Sequence, residues 1–293
     1  MDVPAVAPAT RPSLSLGGRL RRWVGSGSRA VFLGFVALAI LVPLIYAAVS
    51  GLRDTGEIRN RPVDLPTDWF PHKYIEILTG QMYWQELFNS VVVAAVATTV
   101  VVTLAAMAAF AFARLEFPGR EKLYTLFVLG LLFPVAIAIL PLFILVRQLG
   151  LLDNPLGVAL PLAAFGLPLT VVILRPFFRA IPVELEDAAR MDGCSTLGFF
   201  WRVVLPLSKP ALATVSVLAV VGAWNAFLLP LVVFSTQEQW TLPLGVMNFS
   251  TQYTSDTARV LAYTTLSIVP ALLFYVVAER QIVRGLTAGS VKG

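Results

Sequence analysis

The residues of this chain that could do chemistry are concentrated in one polar segment, residues 181–210, which lies between two long apolar runs. Together with the arginines just before it, the segment carries nine charged residues: Arg175, Arg179, Glu184, Glu186, Asp187, Arg190, Asp192, Arg202 and Lys209. At the centre of a bilayer each of these would cost about 2.5–3.5 kcal/mol. The segment must therefore lie in water or against another protein, and its chemistry is charge pairing and docking.

Catalytic chemistry has few candidate residues. The chain has one histidine, His72, and one cysteine, Cys194, which excludes a histidine-rich metal site, an internal disulfide and a thiolate cluster. A Walker A loop requires glycine immediately before its lysine, whereas the four lysines follow His72, Glu121, Ser208 and Val291. The carboxylates fall in loops or at the ends of apolar runs, which argues against a membrane-embedded enzyme. We predict no catalytic residue, no metal site and no ATP hydrolysis by this chain.

The first part of the polar segment has the pattern of a short helix. Pro182 suits the first helical position, and the acidic residues that follow it favour the positive end of the helix dipole. Glu186 and Arg190 have the i,i+4 spacing of a favourable ion pair. Gly193 can end the helix in the left-handed conformation. The predicted helix has an apolar side made of Leu185, Ala188, Ala189 and Met191.

A second helical piece is predicted to follow. Ser195 can cap its N-terminus, and the piece then carries three aromatic residues, Phe199, Phe200 and Trp201. Pro206 breaks the chain again before the next apolar run. The pattern predicts a short helix, a glycine turn and an aromatic knob outside the membrane, which favours a docking surface. The alternative is an ordinary linker that lies along the lipid headgroups.

The composition of the chain and the length of its apolar runs predict that the rest of it spans a membrane. It is 57% hydrophobic and 13% charged, against about 25% charged in soluble domains. Six apolar runs reach the length of about 20 residues that a helical span needs. An open sheet would leave backbone groups unpaired in lipid, and the runs do not alternate as barrel strands do. The predicted spans are residues 30–50, 88–113, 123–146, 156–174, 211–234 and 258–278.

The distribution of basic residues predicts the orientation. With the N-terminus inside, 16 of the 22 lysines and arginines lie in inner segments and 6 in outer ones, as the positive-inside rule requires. Both termini are then cytoplasmic. The predicted parts are a disordered N-terminal tail (residues 1–28), a six-span domain (29–284) with a cytoplasmic loop at about 179–210, and a C-terminal tail (285–293).

Two polar residues in the fifth predicted span leave alternatives open. Asn225 lies beside Trp224, and an amide in hydrocarbon needs a partner. Trp224 could stack on a sugar ring while Asn225 bonds its hydroxyls. Alternatively, Asn225 makes an interhelical hydrogen bond that fixes packing. Ser90, near the outer end of the second span, is a further candidate for the substrate pathway.

One motif in the polar segment resembles a known family. The chain reads Asp187-Ala188-Ala189, three residues, Gly193, nine residues, then Val203-Val204-Leu205-Pro206. This resembles the cytoplasmic-loop signature of binding-protein-dependent ABC importer permeases, with Asp187 in place of glutamate and Val203 in place of isoleucine. The flanks of the motif, the pairs Asn89-Ser90 and Trp224-Asn225, and the tail 285–293 are similar to the carbohydrate branch, in particular to the six-span maltose-type permease.

The resemblance implies an all-α polytopic protein with the six-helix type I ABC importer permease architecture, in the cytoplasmic membrane. Its implied partners are a dimer of ABC ATPase subunits, a second permease subunit and an extracytoplasmic sugar-binding protein, with no nucleic acid. This chain would bind no cofactor, since ATP and Mg belong to the ATPase subunits. The implied ATPase contacts are Glu186, Asp187, Ala188, Ala189, Arg190, Asp192, Gly193, Leu205 and Pro206 in the loop, and Thr287, Gly289 and Lys292 in the tail.

The implied cargo is a sugar, an oligosaccharide or glycoside in particular. One alternative is a permease for another solute, such as a polyamine or a peptide. The other is a membrane-embedded scaffold or enzyme, of which the enzyme would need ionisable residues at membrane depth.

Overall fold

The computed structural model of the chain describes residues 16–250 and 255–288. Regular structure in these residues is helical, apart from one isolated bridge between Ser250 and Ser255. The predicted all-α class is thus confirmed. The α-helices are α1 Leu16–Ser50, α2 Thr55–Asn60, α3 His72–Thr79, α4 Gln81–Arg114, α5 Arg120–Leu129, α6 Val135–Gln148, α7 Pro155–Arg179, α8 Val183–Met191, α9 Thr196–Phe199, α10 Leu205–Leu207, α11 Lys209–Trp224, α12 Leu228–Val233, α13 Leu242–Gly245 and α14 Thr257–Ala288.

Four helical segments are each long and apolar enough to cross a membrane: Arg29–Ser50 of α1, all of α4, all of α7, and Thr257–Val276 of α14. Two further candidates are bent pairs. Arg120–Leu132 meets Val135–Gln148 at 100°, and Thr196–Leu207 meets Lys209–Trp224 at 80°. The described residues therefore contain four continuous candidate spans, or up to six if each bent pair crosses once.

Two of the predicted spans, which the sequence presents as continuous apolar runs, are interrupted in the structure. In the third run the break falls at Phe133, whose φ of −85° and ψ of 115° are extended. Pro134 follows it, and a residue before proline is driven out of the α region by the ring. The fifth run is interrupted after Trp224, where α11 ends, and resumes as α12 at Leu228.

The two ends of the chain also differ from prediction. Helix α1 begins at Leu16, so residues 16–28 are helical where a disordered tail was predicted. The chain has no proline between Pro12 and Pro43, and its arginines and leucines are good helix formers. Helix α14 continues to Ala288, past the predicted start of the C-terminal tail. Residues 1–15 and 289–293 lie outside the described residues.

Helix α4 is the central packing element. It packs against α7 and α11, and its buried alanines, such as Ala97, Ala105 and Ala109, allow neighbouring helices to approach closely. It contributes to three successive buried clusters, near Phe112 at one end, Val93 in the middle and Tyr83 at the other end. A displacement of α4 would therefore disturb buried contacts along the whole length of the bundle.

Candidate coupling loop and membrane cavity

The candidate coupling loop, residues 179–210 (called the coupling loop below), is built around α8. Pro182 precedes this helix as its N-cap, with φ −56° and ψ 141°, one position earlier than predicted. At the other end Gly193 has φ 75°. Its N–H donates to the Arg190 carbonyl at 3.0 Å, and the Cys194 N–H donates to the Ala189 carbonyl at 2.9 Å. These two bonds form a Schellman motif, so the predicted glycine stop is confirmed.

The second helical piece begins as predicted, but its aromatic residues do not all face outward. The Ser195 hydroxyl accepts a hydrogen bond from the Gly198 N–H at 3.1 Å and caps α9. Phe199 and Phe200 are buried, and the Phe200 ring lies 5.0 Å from that of Phe110 on α4. Burial of a phenylalanine is worth about 1.5–3 kcal/mol. Only Trp201 of the predicted aromatic knob is exposed, by 53%.

The Glu186 carboxylate connects α8 to the membrane helices. It pairs with Arg190 at 2.7 Å, as the i,i+4 spacing predicted, and with Arg114 at 3.5 Å. Arg114, the last residue of α4, also donates to the carbonyls of Phe178 (3.0 Å) and Ile181. One guanidinium thus joins the end of α4, the end of α7 and the start of the coupling loop.

Arg175 corrects the expectation that all nine charged residues lie in water or against a partner. It is buried on α7, donates to the Phe112 carbonyl at 3.2 Å and pairs with Glu121. Its guanidinium carbon also lies 3.8 Å from the centre of the Tyr124 ring. A buried charge is tolerated when ion pairs, hydrogen bonds and aromatic faces replace its water, and here those partners come from the same chain.

The rest of the predicted docking set divides between an outer and an inner face. Leu205 and Ala189 pack partly against the buried cluster around Phe112, and Glu186 is largely covered. The other members are exposed: Asp187, Ala188, Arg190, Asp192, Gly193 and Pro206. The loop therefore presents a mixed charged and apolar surface while its other side is fixed to the bundle.

Trp224 and Asn225 line a cavity of about 310 Å³ between α4, α11 and α14. The remaining lining residues are apolar, among them Val91, Pro270 and Phe274. The Asn225 amide donates to the Val221 carbonyl of its own helix at 2.9 Å. Because α11 ends at Trp224, the amide caps a helix end. The predicted interhelical hydrogen bond is not the one that this amide makes.

Comparison with known proteins decides the family. Residues 102–283, which contain the whole coupling loop, match the family described as the binding-protein-dependent transport system inner membrane component. The chain belongs to this family. It is a multi-pass membrane protein and a transporter permease, which is a class distinct from enzymes.

Relatives of this permease carry names from carbohydrate uptake. The permease is 35% identical to the diacetylchitobiose uptake system permease protein NgcG of Streptomyces coelicolor over 258 residues, 87% of this chain and 85% of the relative. It is 36% identical to the trehalose transport system permease protein SugB of Mycobacterium tuberculosis over 255 residues, 86% and 93% of the two chains. The predicted resemblance to the carbohydrate branch is confirmed.

The fold has a solved counterpart. One chain of a bacterial ABC transporter involved in the import of the acidic polysaccharide alginate superposes on the permease with a TM-score of 0.76 and 25% identity, over 92% of this chain and 99% of that one. The helical arrangement described above is thus that of an ABC importer permease.

Ser90 lies away from the cavity of the permease. It is 2% exposed, and its hydroxyl accepts a hydrogen bond from the Leu242 N–H at 2.8 Å. The structure therefore brings Trp224 and Asn225 together but places Ser90 in a separate contact. In this conformation its hydroxyl holds the segment that connects α12 to α14.

The contacts of two neighbours of Ser90 on α4, Asn89 and Glu86, were not predicted from the sequence. Asn89 donates to the carbonyls of Glu238 (2.8 Å) and Trp240 (2.9 Å). Glu86 is fully buried and accepts hydrogen bonds from the Tyr263 hydroxyl and, at 2.7 Å, from the Asn248 amide. The sequence did contain a signal, since polar residues at i, i+3 and i+4 share one face of a helix.

Of the three tail residues that the resemblance implies as ATPase contacts, the structure describes one. Thr287 belongs to α14, whereas Gly289 and Lys292 fall outside the described residues. Among residues 16–250 and 255–288, no group of three or more His, Cys, Asp or Glu side chains could hold a metal ion.

Proposed function

We propose that this permease is a transmembrane subunit of an ATP-driven ABC importer. With a second permease subunit it forms an alternating-access pathway for an oligosaccharide or glycoside delivered by an extracytoplasmic binding protein. The bent pair Arg120–Gln148 crosses the membrane once, and α11 together with α12 crosses once, which gives six spans with both termini in the cytoplasm. The excess of lysine and arginine in the inner segments supports this orientation.

The observation that carries the proposal is the two-sided construction of α8. Its exposed side carries Asp187 and Ala188, and Asp192 is exposed directly after its end, while Glu186 on its other side is paired with Arg114 of α4. A motor protein that moves the exposed side would therefore also pull on the membrane helices. The ATPase dimer supplies ATP and Mg, no cofactor is bound by this chain, and the C-terminal tail around Thr287, Gly289 and Lys292 gives the dimer a second contact.

A sugar is the cargo that fits the cavity chemistry best. The indole of Trp224 offers a flat apolar face, as sugar rings require, and Asn225 offers an amide for hydroxyls. No charged side chain is among the described residues that line the cavity, whereas a polyamine would need carboxylates to replace its water. Relatives named for diacetylchitobiose, trehalose and arabinooligosaccharides support the same class.

Purified permease alone should show no ATP turnover, whereas its complex with the ATPase and second permease subunits should hydrolyse ATP. In proteoliposomes the binding protein loaded with trehalose, diacetylchitobiose or an arabinooligosaccharide should raise that rate, because the complex needs an external signal to close. The measurement is phosphate release by each preparation. ATP turnover by the isolated permease would contradict the proposal, and so would a complex that responds to none of these sugars but does respond to a polyamine or a peptide.

Trp224→Ala should raise the sugar concentration that gives half-maximal uptake, or lower the maximal rate, by about thirtyfold, because truncation of a tryptophan at a binding surface costs about 2 kcal/mol. The assay is uptake of radiolabelled sugar into proteoliposomes. Trp69→Ala, at an exposed outer tryptophan, is the matched control and should leave uptake unchanged. Equal uptake by the Trp224 variant and the wild type would remove Trp224 from the pathway.

A further inference from the structure

Helix α4 is built differently from the other candidate spans. It runs for 34 residues and contains neither proline nor glycine. In the described residues α1, α7 and α14 each contain internal proline, and the remaining two candidates are bent by 100° and 80°. Because sharp kinks arise at proline, glycine and interrupted ladders, α4 is the span best suited to move as one rigid body.

At its inner end α4 is attached to the coupling loop. Arg114 pairs with Glu186 of α8 and donates to the carbonyls of Phe178 and Ile181. The Arg114 and Glu186 side chains are only 10% and 13% exposed, so the pair is screened less by salt than a surface pair. Movement of α8 therefore cannot occur without either carrying Arg114 along or breaking this contact.

At its opposite end α4 is attached to the segment that follows α12. Asn89 uses both amide hydrogens on the carbonyls of Glu238 and Trp240, and Ser90 accepts from the backbone of Leu242. On the proposed topology this segment faces the side from which the binding protein arrives. The sequence offered the pair Asn89-Ser90 as a mark of family resemblance, and Ser90 also as a candidate for the substrate pathway. In the structure both residues attach α4 to this segment.

We propose that α4 is the rigid connector between the two sides of the membrane, with Asn89 and Arg114 as positioning residues at its two ends. A displacement of segment 238–248 by the binding protein is passed along α4 to α8, and hence to the ATPase. This inference rests on the proposed importer function. On this proposal α4, with Asn89 and Arg114, carries the signal that links the arrival of the binding protein to ATP turnover.

The test measures the ratio of ATP turnover with and without sugar-loaded binding protein, in proteoliposomes that contain the whole complex. The probe is whichever of trehalose, diacetylchitobiose and an arabinooligosaccharide gives the largest wild-type ratio. Asn89→Ala and Arg114→Gln should each lower the ratio by about tenfold, within the range usual for coupling between two sites, while basal turnover changes by less than about twofold. Arg114→Lys should restore part of the ratio because it keeps the charge.

Two matched controls separate coupling from simple damage. Gln85→Ala removes a polar side chain of α4 whose contacts to the Glu238 carbonyl and to Asn89 Oδ1 are both long, at 3.5 Å, and therefore weak, and the ratio should be unchanged. Thr99→Gly with Thr103→Gly softens the middle of α4 at two exposed positions without touching either end, because glycine is the more flexible residue. This glycine pair should lower the ratio about tenfold, whereas the same two positions changed to alanine should not.

The combined variant gives the sharpest outcome. If Asn89 and Arg114 act in series in one signal, the double variant should have the same ratio of ATP turnover as whichever single variant has the lower ratio. Once one of the two contacts is lost the signal is already interrupted, so loss of the other adds no further effect. A double variant whose loss equals the product of the two single losses would overturn the proposal, as would a wild-type ratio in the glycine pair. A wild-type complex that responds to no binding protein would instead overturn the importer function itself.

Discussion

Replacement of Gly193 with arginine should reduce uptake by the assembled transporter to background. Gly193 has φ 75°, a conformation that costs an ordinary residue about 1–2 kcal/mol. That strain is small against a typical total stability of about 5–15 kcal/mol, so it would not by itself prevent folding. The larger effect comes from the long cationic side chain on the exposed side of the loop, which would keep the proposed ATPase dimer from closing around α8. The assay is sugar uptake by proteoliposomes that contain the whole complex.

Gly119 provides the matched control. Its φ is 82°, and an added Cβ at either Gly119 or Gly193 would meet no atom within 4 Å. Gly119→Arg therefore carries the same backbone strain and the same free space, but it lies outside the coupling loop. It should keep at least about half of the wild-type uptake, because a strain of 1–2 kcal/mol leaves most molecules folded. Equal losses in the two variants would show that strain, rather than docking, explains the effect at Gly193.

The local structure of the coupling loop could be predicted well because short-range rules decide it. The helix at 183–191, its ion pair between Glu186 and Arg190 and its stop at Gly193 depend on residues no more than a few positions apart. The direction of the aromatic residues could not be predicted in this way. Phe199 and Phe200 face inward because they pack against Phe110 of α4. The sequence of residues 195–201 carries no information about that distant contact.

Long-range contacts of charged residues were the second class that sequence reasoning missed. Arg114 and Arg175 were counted as inner positive charges, which indicates the side of the membrane but no partner. In the structure Arg114 bonds two carbonyls and a carboxylate from distant parts of the chain, and Arg175 bonds one carbonyl and a carboxylate. The same limit applies to Asn225, whose amide bonds Val221 because the helix ends there, and an apolar run alone does not reveal where a helix ends.

Hydropathy predicted where the candidate spans lie but not where they bend. Length and apolarity identified the regions of α1, α4, α7 and α14 correctly, since both properties belong to the segment itself. They could not reveal the 100° bend after Leu132, which changes the backbone direction without changing composition. Pro134 was a visible signal of a local break, but the angle depends on packing around it.

Glu86→Leu should lower the free energy of unfolding of the permease by about 2–6 kcal/mol. The Glu86 carboxyl is the acceptor for the Tyr263 hydroxyl and the Asn248 amide, and Glu86 and Tyr263 are at most 1% exposed. Leucine would leave both donors without a partner, and each buried unsatisfied polar group costs about 1–3 kcal/mol. The thermal midpoint of the purified complex, followed by tryptophan fluorescence, should fall accordingly.

Two comparison variants identify the cause. Glu86→Gln keeps an oxygen acceptor in the same place and should lose less than the leucine variant. Glu86→Leu combined with Tyr263→Phe removes one orphaned donor and should recover about 1–3 kcal/mol of the loss, whereas Tyr263→Phe alone should destabilise. The site is tightly filled, since a Cβ added to Gly245 would clash with the Glu86 carboxyl and the Tyr263 hydroxyl. A double variant less stable than Glu86→Leu would mean that packing, and not the lost acceptor, causes the effect.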